Sequence, residues 1–346
     1  MTAILRRVAA LAIAALAACA PVARDAVMPS YAGAASANAP SGFVYVLLSA
    51  GGVSSYREGS TAPYRGILVP GLASAIGCDG FGHLWIANVD LNYVESYSAG
   101  GAKPLRTIAG TGGPVALAFD PDDVYVANRG AGTVTIYRPG TKSPFVTIAK
   151  GVDDPLRIKL GSTRNIFVLN AGGAGSVSEY GPLEDRPIAI VHRGIEHPFD
   201  IAVDPKGTLY VASAGPKGSR GWISVYAAAA TRPSQTIRSG IAAPEAIAFD
   251  DAAGELYVAN ATQGPNAKGW ISVYPLGAST PSRTIQTGSD LPTWLSFDGA
   301  GNLYVANVSN VNYGSVTVYA PGAGTPLRRI TRGADGPLAA IPCSAT

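Results

Sequence analysis

Short runs in which large apolar residues alternate with small or polar ones recur along the chain, each ending at a cluster of Gly, Pro, Asp or Asn. The clearest is Leu256-Tyr-Val-Ala-Asn260, repeated at Leu303–Asn307 and Val124–Asn128. Looser copies lie at Leu84–Asn88, Leu209–Ser213, Ile166–Asn170 and Val44–Leu48. Alternation of period two over such short runs, rich in Tyr and β-branched residues, predicts strands. The aromatic anchors of the seven copies are Tyr45, Trp85, Tyr125, Phe167, Tyr210, Tyr257 and Tyr304, spaced by 40, 40, 42, 43, 47 and 47 residues. A spacing of that size is the signature of a repeat architecture.

One unit runs from Pro244 to Gly288. Its strands are expected at Ala246–Phe249, Leu256–Asn260, Trp270–Tyr274 and Pro281–Ile285, with Asp250 opening the first turn. Four alternating strands repeated at this spacing make an antiparallel propeller blade, which buries both faces against its neighbours. The tyrosines agree, since twelve of the sixteen fall at anchor positions or at the end of strand three. The first copy lacks an innermost strand, whereas the C-terminal Gly336-Pro-Leu-Ala-Ala-Ile341 reads as the opening of a blade with nothing after it. The fold expected is therefore all-β, a seven-bladed β-propeller over residues 42–346 closed by its C-terminal strand, which leaves no open edge at the seam.

Composition narrows the picture. Hydrophobic residues make up 47% and charged residues 14%, with 42 Gly and 26 Pro, as suits a packed chain with many tight turns. A net charge of +3 and the absence of any long basic block give no support to nucleic-acid binding. Residues 1–19 stand apart: Arg6 and Arg7 precede an apolar stretch, Val8 to Ala18, too short to span a bilayer. That stretch ends in Leu16-Ala-Ala-Cys19, which resembles a bacterial lipobox, with Cys19 the residue to be acylated. Ala20 follows where an Asp would imply inner-membrane retention, so the resemblance implies an exported protein anchored at the outer membrane. Residues 20–41, rich in Ala, Ser and Pro, read as a flexible tether.

The repeat also resembles a known family. Val124-Tyr-Val-Ala-Asn128, Gly132-Thr-Val-Thr-Ile-Tyr137, Val146-Thr-Ile148 and Pro155 resemble the YVTN β-propeller repeat, a cousin of the NHL repeat. The resemblance covers residues 42–343 and departs at Ala127 and its equivalents, where the family has Thr. It implies a bacterial or archaeal surface or periplasmic propeller and carries little about activity, because propellers host unrelated functions.

Candidate chemistry comes from cysteines, repeated acids and departures from the repeat. Cys78 and Cys343 end similar stretches on adjacent inner strands, and either a disulfide or two buried thiols fits. Asp79, Asp120, Asp204, Asp250 and Asp298 recur at the first turn, and Asn88, Asn128, Asn170, Asn260 and Asn307 at the end of strand two. Both sets read as turn-closing residues, not ligands. In the innermost strands, positions that are Ala elsewhere carry Arg157, Lys159, Asp200 and Trp294, with Glu245 and His197 nearer the channel mouth. These six are the ligand-site candidates, against the alternative that Arg157 and Asp200 form an ion pair between blades. The loops between strands two and three are long in blades five to seven and carry Lys217, Arg220, Lys268, Asn310 and Tyr313 as candidates for a partner-binding rim.

With three His and no HExxH, Gly-x-Ser-x-Gly or P-loop pattern, no compact catalytic motif is present. The favoured expectation is a monomeric, non-enzymatic scaffold, anchored by lipid only, that binds a protein or glycan in the cell envelope and needs no cofactor. The alternative, suggested by resemblance to lactonase-like and lyase-like propellers, is a hydrolase or lyase with Ca²⁺ or Mg²⁺ near Asp200, Glu245 and His197.

Overall fold

The computed structural model describes residues 42–344, except 218, 263–268, 289 and 311–312. Its strands form seven four-stranded antiparallel sheets. In six of them the strands follow in chain order from the channel outward. The remaining sheet, blade one, takes its innermost strand from the C-terminus: Pro337–Cys343 pairs with Phe43–Leu48. The molecule is a seven-bladed β-propeller closed by its C-terminal strand.

The core is not central but divided into seven apolar slabs, one between each pair of adjacent blades. The sequence period sets this arrangement. Each slab receives one strand-two anchor from one blade and one strand-three tyrosine from the next. Tyr45 shares a slab with Tyr97, Trp85 with Tyr137, Tyr125 with Tyr180, and Phe167 with Tyr226. Tyr210 and Tyr274, Tyr257 and Tyr319, and Tyr304 and Tyr56 complete the ring.

The polar ends of these rings are held as systematically. Tyr56, Tyr180, Tyr226 and Tyr274 donate their hydroxyls to the backbone carbonyls of Arg332, Lys150, Arg193 and Ser239, where the preceding blade's outer strand ends. The first-turn aspartates accept backbone N–H groups two to four residues on, as Asp204 does from Lys206 and Thr208. In four blades the second oxygen reaches the anchor, as Asp79 accepts from Trp85 Nε1 at 2.8 Å and Asp120 from the Tyr125 hydroxyl at 2.9 Å, whereas Tyr257 of blade six donates to Glu255.

The recurrent Asn residues act differently from the expectation. Among the described residues Asn88 alone closes a local turn, accepting from Leu91 N. Asn170 and Asn260 instead accept from Asp153 N and Ala242 N on the incoming blade connection and donate to Ser178 and Ser272 on strand three. They fasten one blade's entry to its middle strands, which a local reading of the sequence does not reveal. Strand limits also shift: strand four of blade six is Arg283–Gly288, not Pro281–Ile285. Pro281 has no N–H to contribute to the ladder.

Candidate functional site

Every innermost strand carries the same irregularity. One residue past its start, or two in blade seven, the pairing with strand two skips a position, so Leu338, Ser74, Val115, Leu156, Phe199, Glu245 and Thr293 are bulged. A bulge re-aims side chains next to it. At two of these positions the side chain links blades: Ser74 Oγ donates to Pro114 O at 2.6 Å and Thr293 Oγ1 to Pro337 O at 3.5 Å. Glu245 occupies the same place in blade six. It is half-buried, and no hydrogen bond or ion pair joins it to any described residue. Loss of solvent pushes its carboxyl up from the usual range to about 7, and no neighbouring charge contributes.

The next residue inward is Ala75, Ala116, Ala246 or Ala339 in four blades and Arg157, Asp200 or Trp294 in the other three. These three come together. Arg157 Nε lies 3.6 Å from Asp200 Oδ1, and the guanidinium carbon lies 5.8 Å from the centroid of the Trp294 ring. Blade four, which supplies Arg157, and blade seven, which supplies Trp294, are not neighbours in the ring, so the contact crosses the channel.

Asp200 is fully engaged. Its Oδ1 accepts from Ile201 N at 2.9 Å and its Oδ2 from Ile247 N of blade six at 3.0 Å, in addition to the Arg157 pair. It ties two blades together and does so while buried. Arg157 donates Nη1 to Leu156 O at 3.0 Å, but its Nε has no hydrogen-bond acceptor, and neither has the buried Nε1 of Trp294. Lys159, two residues further along the same strand, is half-buried and makes no hydrogen bond or ion pair with a described residue.

His197 stands apart from this group, exposed on the connection into blade five. Its positive φ of 47° is shared by Asp154 and Ala243 and by Gly113 and Gly336 at the equivalent position, so it belongs to the repeat and marks no special strain. Its N–H donates to Ala174 O and its carbonyl accepts from Ala214 N. Among the described residues no three His, Cys, Asp or Glu side chains gather into a metal-binding group.

On the rim, Lys217 and Arg220 are exposed, and Tyr313 is 66% exposed. Lys268 lies outside the described residues, as do Cys19 and the leader, while Asn310 is placed only by its backbone, paired with Tyr313. The blade-five loop forms no extra ladder and is fixed by Arg220 O accepting from Ala243 N at 2.7 Å. Blades six and seven differ: their middle strands are 7, 7, 8 and 7 residues long, against 5 in each of the middle strands of blades two to five. In blade seven the added residues, 308–310 and 313–314, all lie on the rim side, so its hairpin stands above the rest, whereas blade six gains one rung there, Ala261 with Gly269, and its other added rung, Glu255 with Pro275, lies at the opposite end. Two rim acids are already paired: Asp154 with Arg129, and Asp290 with Arg329 and Ser309 Oγ. Cys78 and Cys343 are joined in a disulfide, with Cα atoms 5.6 Å apart.

The bulges and the linking role of Asp200 escape a reading of sequence. The bulged residue follows a proline or alanine in an ordinary alternating run, and nothing local distinguishes it from a regular strand position.

No protein-family model matches the chain, and no curated protein matches it. Among solved structures, the hydrazine synthase of Kuenenia stuttgartiensis matches with a TM-score of 0.61 at 15% identity, over 76% of this chain and 80% of that one. A likeness at that identity shows the shared propeller fold alone.

Proposed function

We propose that the protein is an envelope-anchored binding scaffold, held by acylated Cys19 and a tether over residues 20–41, which presents the rim of blades five to seven to a protein or glycan partner. The observation that carries this reading is the unequal rim. The middle hairpin of blade seven extends furthest on this face and presents an exposed aromatic, Tyr313, on the same rim that carries cationic Lys217 and Arg220 of blade five. Loops that exceed a repeat template on one face are where propellers and solenoids place recognition. The repeat resembles YVTN and NHL units of exported proteins, which fits the leader.

Photo-crosslinking in intact cells tests the rim. A crosslinker at Tyr313 is expected to trap a discrete adduct, whereas one at Ile188, on the outer strand of blade four, traps none. Adducts from both positions, or from neither, would defeat the proposal. The anchor is tested separately: Cys19→Ala should move the protein from the membrane fraction to the soluble one, and an unchanged partition would remove the lipid anchor.

A hydrolytic or lyase reading with Ca²⁺ or Mg²⁺ rests on one observation, the unengaged carboxyl of Glu245 at the channel. It requires a stoichiometric metal and loss of turnover in Glu245→Ala. Asp200 is already tied to Ile201 N, Ile247 N and Arg157, which leaves it little capacity for a metal, and the scaffold is the better-supported function.

A further inference from the structure

Two buried hydrogen-bond donors at the channel have no acceptor among the described residues. Buried polar groups in folded proteins are nearly always paired, and an exception points to a water or ligand that supplies the missing partner. Two such donors, Arg157 Nε and Trp294 Nε1, belong to side chains that meet across the channel, with the guanidinium 5.8 Å from the indole ring centroid. The nearest acid, Asp200, accepts two backbone N–H groups, lies 3.6 Å from Arg157 Nε, beyond hydrogen-bond distance, and makes no hydrogen bond to Trp294 Nε1. Neither donor is needed to hold the blades, because blades two and three carry Ala75 and Ala116 at the equivalent position.

Charge points the same way. Arg157 and Lys159 on blade four stand against one paired acid, Asp200, on the adjoining wall. Lys159 lies two strand residues from Arg157, about 7 Å along the channel. Glu245 keeps its proton up to about pH 7 and is then also a donor. A guest that satisfies these groups is rich in acceptors, compact and negatively charged. Guanidinium groups and indole N–H groups both bind carboxylate oxygens through short, charge-assisted bonds.

We propose that the central channel binds a small oxyanion, a carboxylate or a phosphate, between Arg157 and Trp294, with Lys159 adding positive charge from the next layer. This site is separate from the rim and independent of any partner there.

Calorimetric titration of the intact chain with acetate and, separately, with inorganic phosphate tests it. Saturable binding is expected for at least one; acetate alone marks a carboxylate site, and phosphate alone marks a phosphate site. Trp294→Phe and Lys159→Met should each weaken that binding about tenfold or more while leaving the thermal melt in place, a loss of about 1.4 kcal/mol. Lys159→Met is the decisive variant, because Lys159 makes no bond within the protein that its loss would disturb. Lys142→Ala, at an exposed lysine between the outer strands of blade three, should leave binding unchanged. No binding of either anion up to about 10 mM would overturn the proposal. Binding that both channel variants retain in full would overturn it equally, as would a crystal grown with the anion that shows water alone between Arg157 and Trp294.

Discussion

Blades one to three and blades four to seven are built on the same ladder, yet they treat their polar residues differently. In the first group the residues next to the bulges are Ala339, Ala75 and Ala116, and the bulged side chains are Leu338, Ser74 and Val115. Its one polar member, Ser74, donates into the next blade. The second group carries Arg157, Lys159, Asp200, Glu245 and Trp294 on the same frame, of which only Asp200 is fully bonded. Since three blades close without such residues, the repeat ladder does not require them, although Asp200 now fastens blade five to blade six. The repeat accounts for stability, and the departures from it are where a ligand or partner has room to act.

The largest effects should come from the seam. Blade one depends on Pro337–Cys343 for its innermost strand, and the disulfide closes a span of 265 residues. Removing residues 336–346 should abolish the cooperative melt, because it opens two apolar slabs to water. Cys343→Ser should lower stability by about 2–5 kcal/mol, read as a lower urea midpoint that matches the reduced parent. Equal midpoints for parent and variant would mean that the strand alone closes the ring.

Asp200→Ala comes next, and it sharpens the contrast within the second group. It leaves Ile247 N–H and Arg157 without their partner, and a loss of about 2–4 kcal/mol is expected. A loss below about 1 kcal/mol would place Asp200 with the dispensable channel residues.

Glu245 should behave in the opposite sense. Its folded-state pKa is raised to about 7 from 4.5, so the folded chain holds a proton that the unfolded chain releases across that interval. Stability therefore falls as pH rises between these values, and the penalty is fully present above 7 and absent below 4.5. Glu245→Gln should remove that slope and raise stability at pH 8 by about 1–3 kcal/mol, a range reduced for the carboxyl's residual contact with solvent. Parallel pH profiles for parent and variant would show that the carboxyl is not desolvated.

The smallest effect tests a repeat position. Tyr274→Phe removes one hydroxyl bond to Ser239 O, and a loss of about 1 kcal/mol is expected from the urea midpoint. No change would mean that water replaces the hydroxyl.

Much of this division was legible in the chain. The anchor spacing gave the blades, the missing first strand gave the closure, and Asp-Pro-Lys-Gly207 gave its turn, because each depends on alternation or on local backbone chemistry. Of the recurrent Asn residues, Asn88 closes the local turn that its position implies, whereas Asn170 and Asn260 do not accept locally, because their partners, Asp153 N and Ala242 N, lie on the preceding connection. Of the channel candidates, Arg157, Asp200 and Trp294 do converge, whereas His197 lies on the rim in a conformation the repeat imposes. That Asp200 is engaged and Glu245 is not depends on bulge register and on the neighbouring blade's backbone. Sequence alternation is blind to both.

The most direct test of whether the departures hold the ring is to give blades four and six the residues that blade three already uses. In blade three, Ala118 matches Lys159 and Val115 matches Glu245. The measurement is the urea-unfolding free energy of the Lys159→Ala, Glu245→Val double variant at pH 8, beside that of the parent. Unchanged or greater stability is predicted, since neither residue makes a bond that the fold uses. A loss of more than about 2 kcal/mol would show that these residues support the ring, and would contradict the division between repeat and departure.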